Sequence, residues 1–209
     1  RNKIAEVLKS RNDKAGYLDE LKQIVEADAN AGSERTDRTR YLGATSSLIL
    51  TEPLFAQFAE IKLVQPFDKS LLKKKAAMKS ANEAFGKLVK YEVGDVTAGA
   101  TYYLAEIYYH FSRALAESER PGNLNAVELE QYELAIEEQA FPFEEKAIAT
   151  HQKNVELLSV GVSSLWIERS IEKLAKLVPA RYAKPEERTG YISTIGPFRP
   201  DYIARRARP

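Results

Sequence analysis

Apolar residues recur every three or four positions along most of this sequence, which is the spacing that places them on one side of an α-helix. The clearest series is Leu104, Tyr108, Phe111 and Leu115, at intervals of four, three and four residues. Only 9 prolines and 10 glycines interrupt 209 residues, which favours long helices over many short strands. The pattern therefore predicts an all-α protein of about seven or eight helices.

Turn residues divide the helical pattern into five segments. We expect breaks or kinks within two of them, at Pro53 and at Pro142, because an interior proline removes a backbone hydrogen bond. Gly16 is expected to weaken the first segment, because glycine is a poor helix former. The predicted segments are residues 3–29, 33–63, 69–91, 98–118 and 125–177.

The last part of the chain differs in composition from the rest. Residues 180–209 hold seven basic residues against three acidic ones, whereas the whole chain has a net charge of only +1. Glycines and prolines interrupt this stretch, and its aromatic residues are scattered. We expect a helical repeat domain over residues 1–183 and an irregular basic tail over residues 184–209.

Two short motifs in neighbouring predicted helices carry a family resemblance. Ala81 and Phe85 have the A-x3-F spacing, and Leu104-Ala105-x2-Tyr108 has the L-G-x2-Y spacing with alanine in place of glycine. Together they resemble the tetratricopeptide (TPR) repeat, a helical hairpin unit of about 34 residues. The predicted helices are longer than that unit allows, so the resemblance is to degenerate, long-helix repeats.

This resemblance implies a right-handed solenoid of antiparallel helical hairpins that forms part of a longer array. It also implies a non-enzymatic scaffold whose helices line a concave groove, in which a segment of another protein binds. An ordinary bundle of long helices is the alternative fold that the same pattern allows.

Aromatic and arginine side chains are enriched at protein-binding surfaces, and two groups of them are candidates for partner contacts. One group lies on the helix that follows Gly94, where two tyrosines seven residues apart share one side. The other group lies in the basic tail. Core packing is the alternative interpretation of the two tyrosines. The predicted partner-binding residues are Tyr102, Tyr109, Arg113, Tyr191, Phe198, Arg199 and Tyr202.

We expect no metal site or cofactor at the two histidines, His110 and His151. Neither histidine lies in the Glu-x-x-His motif of di-iron helical bundles. We expect His110 to pair with Glu106, four residues before it, on a solvated polar stripe of its helix. No phosphate-binding loop or nucleophile motif occurs, and the acidic run 128–145 is typical of a solvated face, so we predict no catalytic residues.

Charge and hydropathy limit the kinds of partner. The balance of 31 basic and 30 acidic residues gives no overall field towards nucleic acid. The resemblance implies that the partners are other proteins, within a larger complex. Nucleic acid is the alternative partner, contacted through the lysine cluster Lys69–Lys79 and the arginines of the tail. No apolar run reaches the ~18 residues of a membrane helix. The absence of cysteine is compatible with a cytoplasm and a periplasm alike.

Overall fold

A computed structural model describes residues 1–183, and every regular element in that range is a helix. The all-α prediction is therefore confirmed. The predicted tail, residues 184–209, lies outside the described residues. Short 3₁₀ turns at Gly32–Glu34 and Leu157–Val160 connect longer helices. The helices are α1 (Asn2–Ser10), α2 (Lys14–Ala29), α3 (Asp37–Glu60), α4 (Phe67–Val89), α5 (Gly94–Ala116), α6 (Ala126–Glu156), α7 (Leu165–Leu177) and α8 (Pro179–Tyr182).

Of the two forms that the first segment could take, two short helices or one bent helix, the structure shows two helices, separated at residues 11–13. Asp13 caps α2, because its Oδ1 accepts a hydrogen bond from the backbone N–H of Gly16 at 3.0 Å. A Cβ atom at residue 16 would lie 2.7 Å from Asp13 Oδ2. The glycine thus makes room for the cap that starts α2.

The two interior prolines do not divide their helices. Helix α3 runs unbroken through Pro53, and α6 runs unbroken through Pro142. An interior proline costs a helix about 3 kcal/mol. Leu48 and Phe58, on either side of Pro53, are buried in the core, and their packing holds both halves of α3 in one helix. Of the two expected outcomes, a break or a kink, the break occurs at neither proline.

Helix α5 lies at the centre of the described fold, where it packs against α3, α4, α6 and α7. A glycine allows the closest approach: a Cβ atom at Gly99 would lie 2.8 Å from Leu48 Cδ2 on α3 and 3.0 Å from Trp166 Nε1 on α7. Helices α3, α5 and α7 therefore meet where residue 99 has no side chain. The main core around α5 includes Phe58, Phe85, Ile107, Phe111 and Leu115.

A second, smaller core holds α1 and α2 against α3. Its buried residues are Ala5, Leu21 and Ile24. Leu18 and Ile49 lie at its edge, half-buried. The surface between the two cores is indented, and residues that pack against each core line the indentation.

Candidate functional site

An open groove lies between the two cores, where the start of α2 faces the middle of α3. Its volume is about 710 Å³, within the range of about 300–1,000 Å³ that is typical of ligand pockets. Aliphatic and aromatic side chains make up most of its wall. This α2–α3 groove is lined by Lys9, Asn12, Lys14, Tyr17, Leu18, Ile49, Glu52, Pro53, Phe55, Ala56 and Tyr103.

Tyr103 is the lining residue that comes from the central helix α5. Its hydroxyl donates a hydrogen bond to Glu52 Oε1 of α3 at 3.2 Å. Burial raises the pKa of Tyr103, and the negative charge of Glu52 raises it further, so the phenol keeps its proton and remains a donor. The hydrogen bond therefore satisfies a carboxylate oxygen in a wall that is otherwise largely apolar.

Tyr103 also joins the groove to the aromatic core. Its ring stacks on Phe85 of α4, with centroids 4.7 Å apart and planes inclined by 19°. The ring of Phe55 on α3 lies 5.3 Å away, and that of Trp166 on α7 lies 5.2 Å away. Each such pair contributes about 0.5–1.5 kcal/mol beyond the area that it buries. Side chains from three other helices thus hold this part of the wall in place.

Two lysines, Lys9 of α1 and Lys14 of α2, add positive charge to the wall of the groove. Both are exposed, and Lys9 Nζ lies 5.6 Å from the centre of the Tyr17 ring. Glu52 is the acidic residue of the wall, and it accepts the hydrogen bond of Tyr103. The arrangement suits a ligand that presents apolar side chains together with a negative charge.

The tyrosines predicted to contact a partner, Tyr102 and Tyr109, do not line this groove. Tyr102 packs against Trp166 of α7, with ring centroids 5.5 Å apart. Tyr109 lies beneath Lys173 of α7, whose Nζ is 4.0 Å from the centre of its ring. Both tyrosines are half-buried, and both contact side chains of α7.

Arg113, the third predicted residue of α5, lines a second cavity of about 600 Å³ beside the turn that follows α3. Arg113 pairs with Glu117, one turn further along α5, and His110 lies in the same wall. Acidic and basic side chains both line this cavity, so it has no single charge with which to select a partner. The predicted residues of the tail, Tyr191, Phe198, Arg199 and Tyr202, lie outside the described residues.

Glu106 is buried, which overturns the prediction that it lies on a solvated stripe with His110. Only 5% of Glu106 is exposed, because α7 packs over it. Lys173 Nζ lies 3.0 Å from Glu106 Oε2. His151 Nε2 of α6 lies 3.2 Å from Glu106 Oε1, within ion-pair range but off the line of a hydrogen bond. His110 is further away, with Nε2 3.8 Å from Oε2.

The basic side chains around Glu106 decide its charge. Burial alone raises the pKa of Glu106, but the neighbouring His151 and Lys173 lower it by more, and the pKa ends below its usual value of 4.5. Burial lowers the pKa of His110 by more than the negative charge of Glu106 raises it, and the positive charge of Lys173 adds to the lowering. At neutral pH the cluster therefore holds a charged carboxylate next to a neutral His110.

The same cluster contains a serine, a histidine and a carboxylate in the order of a hydrolase triad. Ser170 Oγ lies 3.1 Å from His151 Nδ1, and the other side of the imidazole faces Glu106. Ser170 and His151 are both 0% exposed, and Asn154 Nδ2 donates to Ser170 Oγ at 2.8 Å. The serine is closed to a substrate. The arrangement is a buried polar network that joins α5, α6 and α7.

Lys74, at the centre of the predicted lysine cluster, is also buried, with 1% of its surface exposed. Its Nζ donates hydrogen bonds to the carbonyl oxygens of Phe58 at 2.9 Å and Ile61 at 2.7 Å. The last carbonyl groups of a helix carry partial negative charge, so they attract the ammonium group, but burial opposes this attraction. Burial lowers the pKa of Lys74 from 10.5 to about 8. Lys74 thus closes the end of α3 and is not free to bind phosphate.

Two further kinds of site are absent from residues 1–183. No three histidine, cysteine, aspartate or glutamate side chains in that range are grouped so that they could hold a metal ion. No helix there combines the length and the hydropathy needed to cross a membrane.

Comparison of the chain with known protein families, with curated proteins and with solved structures found no match. The TPR resemblance therefore stays a prediction that rests on its motif residues. Ala81 and Phe85 are buried in the core, and the ring that stacks on Phe85 is Tyr103. Tyr108, the tyrosine of the motif, is half-buried, and the centre of its ring lies 5.9 Å from Lys146 Nζ.

The sequence pattern does not single out Tyr103 from its neighbour Tyr102. One signal distinguishes them: Tyr103 precedes Ile107, Phe111 and Leu115 at intervals of four residues, and these three are buried. Tyr103 thus continues the core series of α5, and a packed tyrosine usually finds a hydrogen-bond partner for its hydroxyl, here Glu52.

Proposed function

We propose that the chain is a non-enzymatic scaffold that binds a segment of another protein in the α2–α3 groove. The observation that carries this proposal is the groove itself, an open and largely apolar channel of about 710 Å³. Tyr103 and Phe55 of its wall are packed against other aromatic rings. A wall that is already ordered loses little conformational entropy when a ligand binds, which favours affinity.

The fold proposed for this scaffold is the TPR-like, right-handed solenoid of antiparallel helical hairpins. The packing supports it in two respects. Each helix packs against the next one in the chain, and α3, α5 and α7 also pack against one another in that order. If α3, α5 and α7 are the first helices of successive hairpins, they are equivalent helices, which stack side by side in a solenoid. Two of them, α3 and α5, contribute to the wall of the groove.

The partner segment proposed for the groove is apolar with an acidic residue at its edge. Leu18, Ile49 and Phe55 offer apolar surface, and Lys9 and Lys14 offer positive charge. An open groove between helices accommodates an amphipathic segment of protein, whose spaced apolar side chains enter it in turn. The exposed charges add to the rate of association more than to affinity.

The buried polar network supports binding as the function, in preference to catalysis. Among the described residues, Ser170, His151 and Glu106 are arranged like the nucleophile, base and carboxylate of a hydrolase. Catalysis by this group would require a substrate to reach Ser170. Ser170 is fully buried between helices. The groove, in contrast, is open and contains no histidine.

Nucleic acid remains the alternative partner, but no feature of the described residues favours it. Lys74 caps α3. Lys73 and Lys75 lie on nearly opposite sides of α4, because a step of two residues turns a helix by about 200°. A phosphate backbone that follows one face of α4 would not meet all of these lysines.

Site-specific photo-crosslinking tests the proposal. A photo-reactive phenylalanine derivative replaces Ala56, an exposed residue in the wall of the groove, in the full chain. The control carries the same group at Ala76, an exposed alanine of α4 outside the groove. We expect residue 56, and not residue 76, to capture a defined protein segment with apolar and acidic residues. Equal capture at both positions, or capture of nucleic acid, contradicts the proposal.

A further inference from the structure

Helix α6 carries an apolar row that no part of residues 1–183 covers. Val127, Leu134 and Phe141 follow one another at seven-residue intervals, so they share one side of the helix. They are 64%, 57% and 60% exposed. The row is therefore a helix face without a partner among the described elements.

The same row continues into the half of α6 that does have a partner. The next positions at this interval are Ile148 and Val155, and both are half-buried. That half of α6 packs against α7, through contacts such as the hydrogen bond from Asn154 Nδ2 to Ser170 Oγ. Helix α7 has only 13 residues against the 31 of α6, so it ends before it can cover the first half of the row.

The uncovered half of α6 is strongly acidic. Residues 126–145 contain seven glutamates and no lysine, arginine or histidine. Within the part of the chain that the structure describes, Glu133 is the glutamate of this group with an ion-pair partner, since its Oε1 lies 3.7 Å from Arg120 Nε. A second copy of this face would be repelled by the like charges, so the complementary surface is basic as well as apolar.

Residues 184–209, which follow α8 in the chain, have that composition. Their sequence holds six basic and three acidic residues, together with Tyr191, Ile192, Ile195, Phe198, Tyr202 and Ile203. Helix α7 runs antiparallel to α6. Asn154 of α6 donates to Trp166 O and Ser170 Oγ of α7, whereas His151, one turn earlier in α6, contacts only the later of the two, Ser170. The C-terminal end of α7 therefore points towards the first half of α6.

The length of the segment is sufficient for it to reach the whole row. Val127 and Phe141 are about 21 Å apart along the helix axis at 1.5 Å per residue. The 26 residues after Ala183 span up to about 86 Å when extended. The segment is therefore long enough to contact the whole row, and its charge and apolar residues favour the contact.

We propose that the basic segment 184–209 binds in cis to the acidic, apolar face of α6 around Val127, Leu134 and Phe141. This surface is on a different helix from the α2–α3 groove and does not depend on the function proposed for that groove. The contact covers the row that α7 leaves exposed and neutralises part of the charge of residues 126–145.

Paramagnetic relaxation in the full chain tests this proposal directly. The chain has no cysteine, so Ala204→Cys provides a single site for a nitroxide label. In an isotope-labelled sample, we expect the amide signals of residues 127–141 to lose most of their intensity, while those of α2 keep theirs. We expect the loss to disappear at 1 M salt, where the Debye length is about 3 Å.

A matched pair of variants isolates the face. Glu130→Gln, Glu137→Gln and Glu138→Gln together remove three exposed charges of α6, and the control removes three exposed charges elsewhere through Glu26→Gln, Glu34→Gln and Glu60→Gln. The signal loss should vanish in the first triple variant and persist in the second. A loss spread evenly over the surface, or equal in both variants, overturns the proposal. A loss that appears when nitroxide-labelled chains are mixed with separate isotope-labelled chains overturns it as well, because the contact is then between copies.

Discussion

The hydroxyl of Tyr103 donates to Glu52 Oε1 at 3.2 Å, and so connects the central helix α5 to α3 in the wall of the α2–α3 groove. The same residue stacks on Phe85 in the core. One side chain thus belongs both to the packing that determines stability and to the surface proposed to bind a partner. Substitutions can separate the two roles.

Tyr103→Phe removes the hydroxyl and keeps the ring. We expect a loss of about 1 kcal/mol in the free energy of unfolding, because the Glu52 carboxylate loses its donor while the stacking on Phe85 remains. Urea unfolding followed by circular dichroism measures this difference. Tyr108→Phe is the control, since the Tyr108 hydroxyl has no hydrogen bond within residues 1–183, and a loss as large for Tyr108 as for Tyr103 would refute the role of the bond.

Gly99→Ala tests the point where three helices meet. The added methyl would lie 2.8 Å from Leu48 Cδ2 and 3.0 Å from Trp166 Nε1, so we expect a destabilisation of about 1–3 kcal/mol. Gly86→Ala on α4 is the matched control, because no atom lies within 4 Å of the added Cβ there. Gly86→Ala should be neutral or stabilising by up to about 1 kcal/mol, since alanine favours helix. Thermal unfolding of both variants measures the difference, and equal melting temperatures would show that α3, α5 and α7 do not approach as described.

Glu106→Gln tests the buried network. Removing the charge leaves the partly exposed Lys173 without its ion-pair partner, so we expect a destabilisation of about 1–3 kcal/mol. The pKa of Glu106 is lower in the folded chain than its usual 4.5, so this group stabilises the fold above pH 4.5, and that contribution is lost as the pH falls through the folded value.

Denaturant unfolding at a series of pH values between 2 and 7 checks both statements. The acid-dependent loss of stability should be smaller in Glu106→Gln than in the unsubstituted chain. Glu138→Gln, at an exposed position of α6, should keep the full acid dependence. Identical pH profiles for all three chains would show that Glu106 is not paired in the folded state.

Lys74→Met tests the cation at the end of α3. The pKa of Lys74 is about 8 in the folded chain and 10.5 as its ordinary value. Between these values the unfolded chain binds a proton that the folded chain has lost, so the contribution of Lys74 to stability rises with pH across this range. Lys74→Met should lack this rise, whereas Lys73→Met, at an exposed position, should keep it. The free energy of unfolding, measured between pH 7 and 10.5, tests this prediction. A rise of stability with pH that persists in Lys74→Met would contradict the lowered pKa of Lys74.

Periodicity predicts the helical class of this chain and most of its helices, because a helix side that faces a core must be apolar at every third or fourth position. It does not predict which polar residues a distant helix covers. Glu106 and His110 belong to one side of α5, and only the position of α7 makes one of them buried and the other half-exposed. Lys74 is similar: its burial depends on where α3 ends, which its own helix does not encode.

The α2–α3 groove, like the burial of Glu106 and Lys74, depends on how distant helices pack together. Leu18, Ile49 and Tyr103 are far apart in the sequence, and each of them fits the apolar pattern of its own helix. They line one groove because α2 and α5 both pack against α3. The residues that line the groove are therefore determined by helix packing, and a pattern within one helix cannot identify them.

The central claim is that the α2–α3 groove binds a protein segment, and the affinity of the groove for that segment tests it most directly. A synthetic peptide with the sequence captured at residue 56 is titrated calorimetrically into the full chain, into Ala56→Glu and into Ala76→Glu. The first substitution puts a charge into the groove, and the second puts the same charge on α4 outside it. We predict that Ala56→Glu weakens binding at least about ten-fold, or 1.4 kcal/mol, while Ala76→Glu leaves it unchanged. Equal affinities for the three chains would contradict the claim.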